Sequence, residues 1–103
     1  MRGRLDIKEK HLTILLQILN EYVPEWEVWA FGSRVSGHAH RGSDLDLVLV
    51  GPGPVPVERL GALLGALEES SLPFFVDVLD WRGIPASFRE NIKKKRILLK
   101  KPA

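Results

Sequence analysis

Two aspartates stand two residues apart at the start of an otherwise apolar segment. They are Asp44 and Asp46, in the run DLDLVLV. Because successive side chains of a strand alternate between its faces, both carboxylates are expected to project from one face, with their Cα atoms about 6.5 Å apart. A hard cation such as Mg²⁺ binds one or two protein carboxylates and completes its shell with water and phosphate oxygens. The pair fits such a site, and on its own it fits equally well a turn cap at Asp44 followed by an exposed edge position at Asp46.

A glycine–serine turn follows an earlier run of bulky residues and precedes a predicted short helix. Gly32 allows a tight turn and a close approach of an anion to the backbone. Ser33 is predicted to cap the helix, whose first N–H groups would meet a phosphate. Arg34 has the donors to bind that phosphate, although an exposed helical arginine explains it nearly as well. Alone, a Gly-Ser pair is more typical of a plain turn.

A third carboxylate lies within another apolar run. In the sequence FFVDVLD, Asp77 lies among β-branched and aromatic residues, whereas Asp80 ends the run. Since three positions separate them, their side chains would point to opposite faces of a strand. A carboxylate inside such a strand needs a metal, a cation or a donor beside it. Asp77 is therefore the better candidate for a third metal ligand.

Together these residues resemble the signature of the polymerase-β-like nucleotidyltransferase superfamily. The signature is a Gly-Ser pair, ten intervening residues, an Asp-x-Asp pair and a further aspartate on a later strand. The run GSRVSGHAHRGSDLDLVLV is most similar to the minimal nucleotidyltransferases that pair with HEPN proteins. The resemblance implies a nucleotidyltransferase fold in which Asp44, Asp46 and Asp77 bind two Mg²⁺ ions and Asp77 helps deprotonate the acceptor. It also implies that Gly32 and Ser33 contact the triphosphate.

The reaction implied by the resemblance is the transfer of a nucleoside monophosphate, AMP from ATP, to a hydroxyl group of a protein partner. The protein would then act as the antitoxin of a HEPN toxin. The alternative is a weakly active or inactive domain that neutralises a HEPN partner by binding it. Three converging carboxylates favour the enzyme, because a binder has no need of them. Transfer to a small molecule or an RNA end is disfavoured, since the chain is too short for a second substrate domain.

Other polar residues carry weaker signals. His38 and His40 could bind metal or nucleotide, but a solvated loop explains them as well, and Ser43 is expected to shape the turn before the strand. The basic run from Lys93 to Arg96 is expected to be a solvated helix end or a surface for an acidic partner. Nucleic-acid binding is not expected without accompanying stacking aromatics. The tryptophans are assigned to the core or to a partner surface; they are Trp26, Trp29 and Trp81.

The composition is that of an ordinary globular domain. The 103 residues are 45% apolar and 27% charged, with a net charge of +2, so a single domain spanning 1–103 is expected. There is no cysteine, so a metal site would use oxygen ligands or histidines. The N-terminal run is charged and no apolar run approaches the roughly 20 residues that span a bilayer, which predicts a cytoplasmic protein without a membrane partner. Self-association is left open.

The apolar pattern predicts an α/β (α+β) protein with a small mixed sheet of three to four strands flanked by helices. The predicted strands are residues 28–31, 45–50, 74–79 and 97–99, and the predicted helices are 12–23, a short one after Ser33, 60–67 and 86–95. Asp6 is expected to cap the first helix together with Glu9, and Pro24 to end it. Gly61 and Gly65 are expected to let their helix pack closely against the sheet.

Overall fold

The computed structural model describes residues 5–40 and 42–103, and helices and strands alternate there in the predicted order. The elements are helix α1 (Glu9–Tyr22), strand β1 (Glu27–Phe31), helix α2 (Ser33–Ser36), strand β2 (Leu45–Val50), helix α3 (Val57–Glu69), strand β3 (Val76–Asp80), a 3₁₀ turn (Trp81–Gly83), helix α4 (Ala86–Lys94) and strand β4 (Ile97–Lys100). The predicted fold class is confirmed. No helix in these ranges is both long and apolar enough to cross a bilayer.

The four strands form one mixed sheet in the order β3-β2-β1-β4. β1 runs antiparallel to both of its neighbours, whereas β2 and β3 are parallel. A parallel pair needs a long crossover connection, and α3 supplies it. β2 is therefore an interior strand and β4 lies at an edge, as predicted.

One face of the sheet carries the larger core. The apolar stripes of α1 and α3 pack there against the inward side chains of β1 and β2, such as Val28 and Leu47. Leu15 and Leu19 of α1 and Leu63 of α3 have no exposed surface. Each such leucine contributes about 1.5–3 kcal/mol to folding, so this face provides much of the stability.

The opposite face carries a smaller, aromatic core beneath α4. Its buried members are Trp29, Phe31, Val48, Ile84 and Ile92. Trp81 packs edge-to-face on Trp29, with ring centroids 5.1 Å apart. Of the two assignments predicted for the tryptophans, the core is confirmed for Trp29, whereas Trp81 is partly buried against it. On β2, the position of this face that precedes Val48 is Asp46, and Asp44 lies two residues earlier, just before the strand begins. The apolar cover therefore ends where the carboxylates begin.

The starts of α1 and β3 differ from the prediction, because residues near each start make other contacts. Asp6 does not cap α1, whose N-cap is Lys8 without any side-chain cap. The backbone of Asp6 is instead hydrogen-bonded to Arg34. The Asp6 N–H donates to the Arg34 carbonyl oxygen at 2.7 Å, and Arg34 Nη1 donates to the Asp6 carbonyl oxygen at 2.9 Å. β3 begins at Val76, later than predicted, and the ring of Phe74 packs against the Arg34 guanidinium at 4.6 Å.

The two glycines of α3 do not face the sheet. A Cβ atom added at Gly61 or at Gly65 would have no neighbour within 4 Å. The expectation that they allow close packing against the sheet is therefore wrong. Both lie on the outer side of the helix, whereas the inner side is formed by buried residues such as Leu63 and Leu67.

Candidate functional site

The sheet brings two of the predicted carboxylates side by side. Asp46 on β2 pairs in register with Asp77 on β3, and Phe31 of β1 lies on its other side in the same row. Adjacent strands lie about 4.8 Å apart, so the two carboxylates are direct neighbours on one face. Asp44 immediately precedes β2. The structure thus places all three predicted aspartates at one end of the same face.

The three carboxylates repel one another. Burial raises the pKa of Asp46 above its usual value, and the negative charges of Asp77 and then Asp44 raise it further. Within residues 5–40 and 42–103, no group donates a hydrogen bond to any of the three and no cation pairs with them. Uncompensated charge of this kind is costly unless a cation neutralises it. The chemistry of the set therefore fits a hard divalent ion.

The carboxylates are not gathered into a finished ligand set. Across the described residues, no three histidine, aspartate or glutamate side chains stand close enough to hold an ion together. Asp44 and Asp77 are exposed, whereas Asp46 is half-buried. Exposed side chains rotate at the cost of rotamer entropy alone, which amounts to about 1 kcal/mol for a short side chain. Rotation of the two exposed side chains is the least costly change that would bring the carboxylates closer together.

The Gly-Ser bend lies directly against Asp46. Gly32 has φ +84° and ψ −158°, a conformation that is accessible only to glycine. A Cβ atom there would overlap the Asp46 carboxylate, whose Cγ it would approach to 3.0 Å. Gly32, and not Ser33, is the N-cap of α2, because Ser33 already has helical geometry and its side chain caps nothing. The prediction that Ser33 caps this helix is wrong.

Arg34 is neither an exposed helical residue nor part of the open end. Only 8% of its surface is exposed. Its Nε and Nη2 atoms donate to the carbonyl oxygen of Ser43 at 3.0 and 2.8 Å, and Nη1 donates to that of Asp6. The predicted contact with a phosphate would have to compete with these hydrogen bonds. Arg34 holds the backbone of Ser43, the residue before Asp44, so it supports the position of the carboxylates without contacting them.

The segment before the aspartates is held by its own hydrogen bonds. Ser43 Oγ accepts from the backbone N–H of His40 at 2.9 Å, and the Ser43 N–H donates to the His40 carbonyl at 2.9 Å. The expectation that Ser43 shapes this turn is confirmed. His40 Nδ1 accepts from the Gly42 N–H at 3.1 Å, and His38 Nδ1 lies 3.1 Å from Ser36 Oγ. Both histidines thus have local structural partners.

Asp80 has a structural role. Its two carboxylate oxygens accept hydrogen bonds from the N–H of Val55 and the N–H of Arg82, each at 3.0 Å. The first bond fixes the loop before α3, and the second caps the 3₁₀ turn. Asp80 pairs in register with Leu49, whose side chain lies in the larger core, so it points to the face opposite Asp77. The preference for Asp77 over Asp80 agrees with this geometry.

A cleft of about 380 Å³ opens beside the Gly-Ser bend. It lies between the bend and α4, and three of its lining residues are side chains at the C-terminal half of the chain that the sequence did not place beside the bend. These are Phe88, Asn91 and Lys95. They follow one another at helical spacing, i, i+3 and i+7, which places them on one side of the helix. That periodicity was visible in the sequence, but it does not say what the helix packs against.

Comparison with known proteins identifies clear relatives. Residues 12–99 match a family model described as a nucleotidyltransferase domain. A protein of Haemophilus influenzae described as a probable protein adenylyltransferase, MntA, is 43% identical over 97 residues, which are 94% of this chain and 85% of the relative. The family match and this identity both extend across the carboxylates and the bend.

Solved structures share the fold. A crystal structure of a toxin–antitoxin with AMP-PNP matches with a TM-score of 0.74 at 22% identity, over 87% of this chain and 73% of the other. A structure of a tri-AMPylated Shewanella oneidensis HEPN toxin in complex with its MNT antitoxin matches with a TM-score of 0.70 at 17% identity, over 92% of this chain and 73% of the other. The predicted fold is confirmed.

Proposed function

This chain belongs to the nucleotidyltransferase domain family, and from that premise we propose that it transfers AMP from ATP to a hydroxyl group of a protein partner. The partner is a HEPN protein, and the pair forms a toxin–antitoxin system. The main support is that Asp46 and Asp77 lie side by side on adjacent strands, next to Gly32. Among the described residues, no group compensates their charges. The whole of residues 1–103 acts as one nucleotidyltransferase domain.

The family generally uses a divalent metal ion, and the proposal specifies two Mg²⁺ ions held by Asp44, Asp46 and Asp77. Bound Mg²⁺ supplies charge stabilisation to the attacking and departing oxygens of an in-line displacement. The acceptor oxygen forms a bond to the α-phosphorus, the bond between the α-phosphorus and the bridging oxygen breaks, and pyrophosphate leaves. Asp77, the exposed member opposite Asp46, takes the proton of the acceptor hydroxyl.

The Gly-Ser bend receives the triphosphate. Because Gly32 has no side chain, an anion can approach the backbone close to Asp46. The first N–H groups of a helix have no acceptor within the helix, so those of Ser33 and Arg34 remain available to phosphate oxygens. In this arrangement the Arg34 side chain supports the adjacent loop, while its backbone faces the nucleotide.

The choice of AMP and of a HEPN partner rests on the relatives. One is described as a protein adenylyltransferase, and a similar structure is described as an AMPylated HEPN toxin with its antitoxin. The open end of the sheet suits an acceptor that brings its own surface, since the three aspartates lie outside the apolar core. A reaction that consumes ATP and modifies a toxin of the same cell belongs in the cytoplasm.

A labelling experiment tests the proposal. The protein is incubated with Mg²⁺, each α-labelled nucleoside triphosphate in turn, and the product of the neighbouring gene, and the label is followed by intact-protein mass. We expect a mass increase of one AMP group on the partner with ATP. Asp46→Asn should reduce the rate at least about 100-fold, since several kcal/mol of charge stabilisation depend on the metal site. Asp80→Asn is the matched control: its single amide oxygen keeps one of the two hydrogen bonds that Asp80 accepts, the side chain lies on the opposite face of the sheet, and the folded variant should retain transfer.

Two results would contradict the proposal. Equal transfer by the wild type and by Asp46→Asn would remove the metal-dependent mechanism. Tight binding of the partner with no transfer to it, or to the protein itself, would favour the alternative, a domain that neutralises a HEPN partner by covering it.

A further inference from the structure

The cleft beside the Gly-Ser bend has two unlike walls. One wall is the bend itself, with Phe31 before it, and the other is the side of α4 that carries Phe88, Asn91 and Ile92. Its volume of about 380 Å³ lies within the range of small-molecule sites. The cleft opens on the same face of the sheet as Asp46, since Phe31 and Asp46 are neighbours in register.

An aromatic ring at the rim of this cleft is only partly covered by the residues that the structure describes. Phe88 is 39% exposed, although it lies against a core in which Phe31 and Ile92 are almost fully buried. Its ring meets that of Phe31 edge-to-face, at 6.0 Å between centroids and 83° between planes. The exposed part of the Phe88 ring is the surface that a flat ligand in the cleft could contact. Stacking of a nucleobase on an aromatic side chain is a common way to fill such a position.

An amide side chain stands three residues further along the same side of α4. Asn91 is exposed, and among the described residues its side chain has no hydrogen-bond partner. An asparagine amide offers one donor group and one acceptor side by side. This pair matches the amino group and ring nitrogen of adenine, whereas the corresponding edge of guanine presents two acceptors. A base stacked on Phe88 would bring such an edge toward Asn91.

A cation ends the same row. Lys95 follows Asn91 by one helical turn and lines the cleft together with Gly32 and Ser33. The ammonium group is exposed and forms no salt bridge in the described part of the chain. Because Lys95 lies beside the Gly-Ser bend, its positive charge suits the phosphate groups of a nucleotide better than the base. One member of the basic run thus gains a role that the sequence alone did not single out.

We propose that this cleft is the nucleoside subsite of the transfer reaction, where Phe88 stacks on the base and Asn91 selects adenine over guanine. The inference rests on the proposed function, because it takes the phosphates to lie at the Gly-Ser bend. It adds the residues that choose the nucleotide, which the metal site cannot do because every nucleoside triphosphate carries the same phosphates.

Binding of four probes tests the subsite apart from the reaction. ATP, GTP, CTP and inorganic tripolyphosphate, each with Mg²⁺, are titrated into wild-type protein and variants by calorimetry. We expect Phe88→Ala to weaken ATP about ten-fold or more and to leave tripolyphosphate unchanged. Asn91→Ala should reduce the preference for ATP over GTP about ten-fold, again with unchanged tripolyphosphate binding. The matched controls are Phe75→Ala, which removes another exposed phenylalanine, and Glu90→Ala, which changes the residue next to Asn91.

The outcomes separate the two proposals. If ATP binds and neither Phe88→Ala nor Asn91→Ala changes its affinity, the subsite is wrong while the proposed function stands. If neither ATP nor tripolyphosphate binds the wild type, the proposed function itself fails. Thermal melting of each variant shows whether it is folded, and because both side chains are exposed we expect melting close to that of the wild type.

Discussion

The two faces of the sheet differ in how completely apolar residues cover them. Under α1 and α3 the face is continuous and apolar, and its leucines are fully buried. Under α4 the apolar cover is smaller, and it ends at the row that holds Asp46 and Asp77. One face thus provides most of the hydrophobic stabilisation, while the other keeps one end free for charged groups. The proposed site lies in the part of the sheet that the apolar packing leaves uncovered.

The charged side chains that are buried or half-buried also differ in whether they have partners within the described residues. Arg34 and Lys100 are both 8% exposed, and each donates several hydrogen bonds to backbone carbonyls. Burial lowers the pKa of Lys100, yet Nζ still reaches the carbonyl oxygens of Pro24 and Trp26. Asp46, in contrast, has repelling neighbours and no donor among the described residues. A charge that holds the fold together is satisfied within the chain, and a charge that awaits a ligand is not.

Gly32→Ala is expected to cause a large loss of both transfer rate and stability. The substitution strains a backbone with φ +84° and places a methyl group against the Asp46 carboxylate. Misplacing a reacting group by about 1 Å costs on the order of 100-fold in rate, and the strain costs about 1–3 kcal/mol of stability. Transfer of labelled AMP and urea unfolding measure the two losses.

Gly37→Ala is the matched control, because Gly37 also has a positive φ, of +88°, but has no atom within 4 Å of the added Cβ. It should lose about 1 kcal/mol of stability and keep its transfer rate. Equal rates for the two variants would show that the contact with Asp46 is irrelevant to the reaction.

Arg34→Met should be the most destabilising change that leaves the acidic end chemically intact. It removes three charge-assisted hydrogen bonds and leaves the carbonyls of Ser43 and Asp6 without them. The expected loss is about 3 kcal/mol in the free energy of unfolding. The control is Arg59→Met, which breaks an exposed ion pair with Glu25 and should cost less than about 1 kcal/mol. Similar losses for both would mean that the buried arginine contributes no more than a surface one.

Asp46→Asn should stabilise the metal-free protein while it reduces the transfer rate at least about 100-fold. Burial and two neighbouring carboxylates raise the pKa of Asp46, so at neutral pH its charged form opposes folding. Removal of a charge held for function typically stabilises by about 0.5–2 kcal/mol. Thermal melting should show this gain without metal, and added Mg²⁺ should raise the melting temperature of the wild type more than that of the variant. A less stable variant would indicate that Asp46 is structurally satisfied after all.

The order of elements could be predicted because apolar periodicity is a local property of the sequence. The strand from Leu45 to Val50 was predicted with its observed bounds, and alternation along strands correctly assigned Asp77 and Asp80 to opposite faces. The register that sets Asp77 beside Asp46 could not be predicted, since it depends on how α3 returns the chain to the sheet. The burial of Arg34 and the position of α4 over the bend depend on tertiary packing in the same way.

The smallest expected effect concerns the outer surface of the stable face. Gly61 and Gly65 lie within α3 and have open space where a Cβ would stand. Since glycine weakens a helix interior by about 0.5–1 kcal/mol relative to alanine, Gly61→Ala and Gly65→Ala should each stabilise by that amount, with unchanged ATP binding. Urea midpoints and calorimetry measure the two quantities. A loss of stability would show that the outer side of α3 is more crowded than the structure indicates. Weaker ATP binding would break the separation between the two faces, because α3 packs on the face opposite the carboxylates.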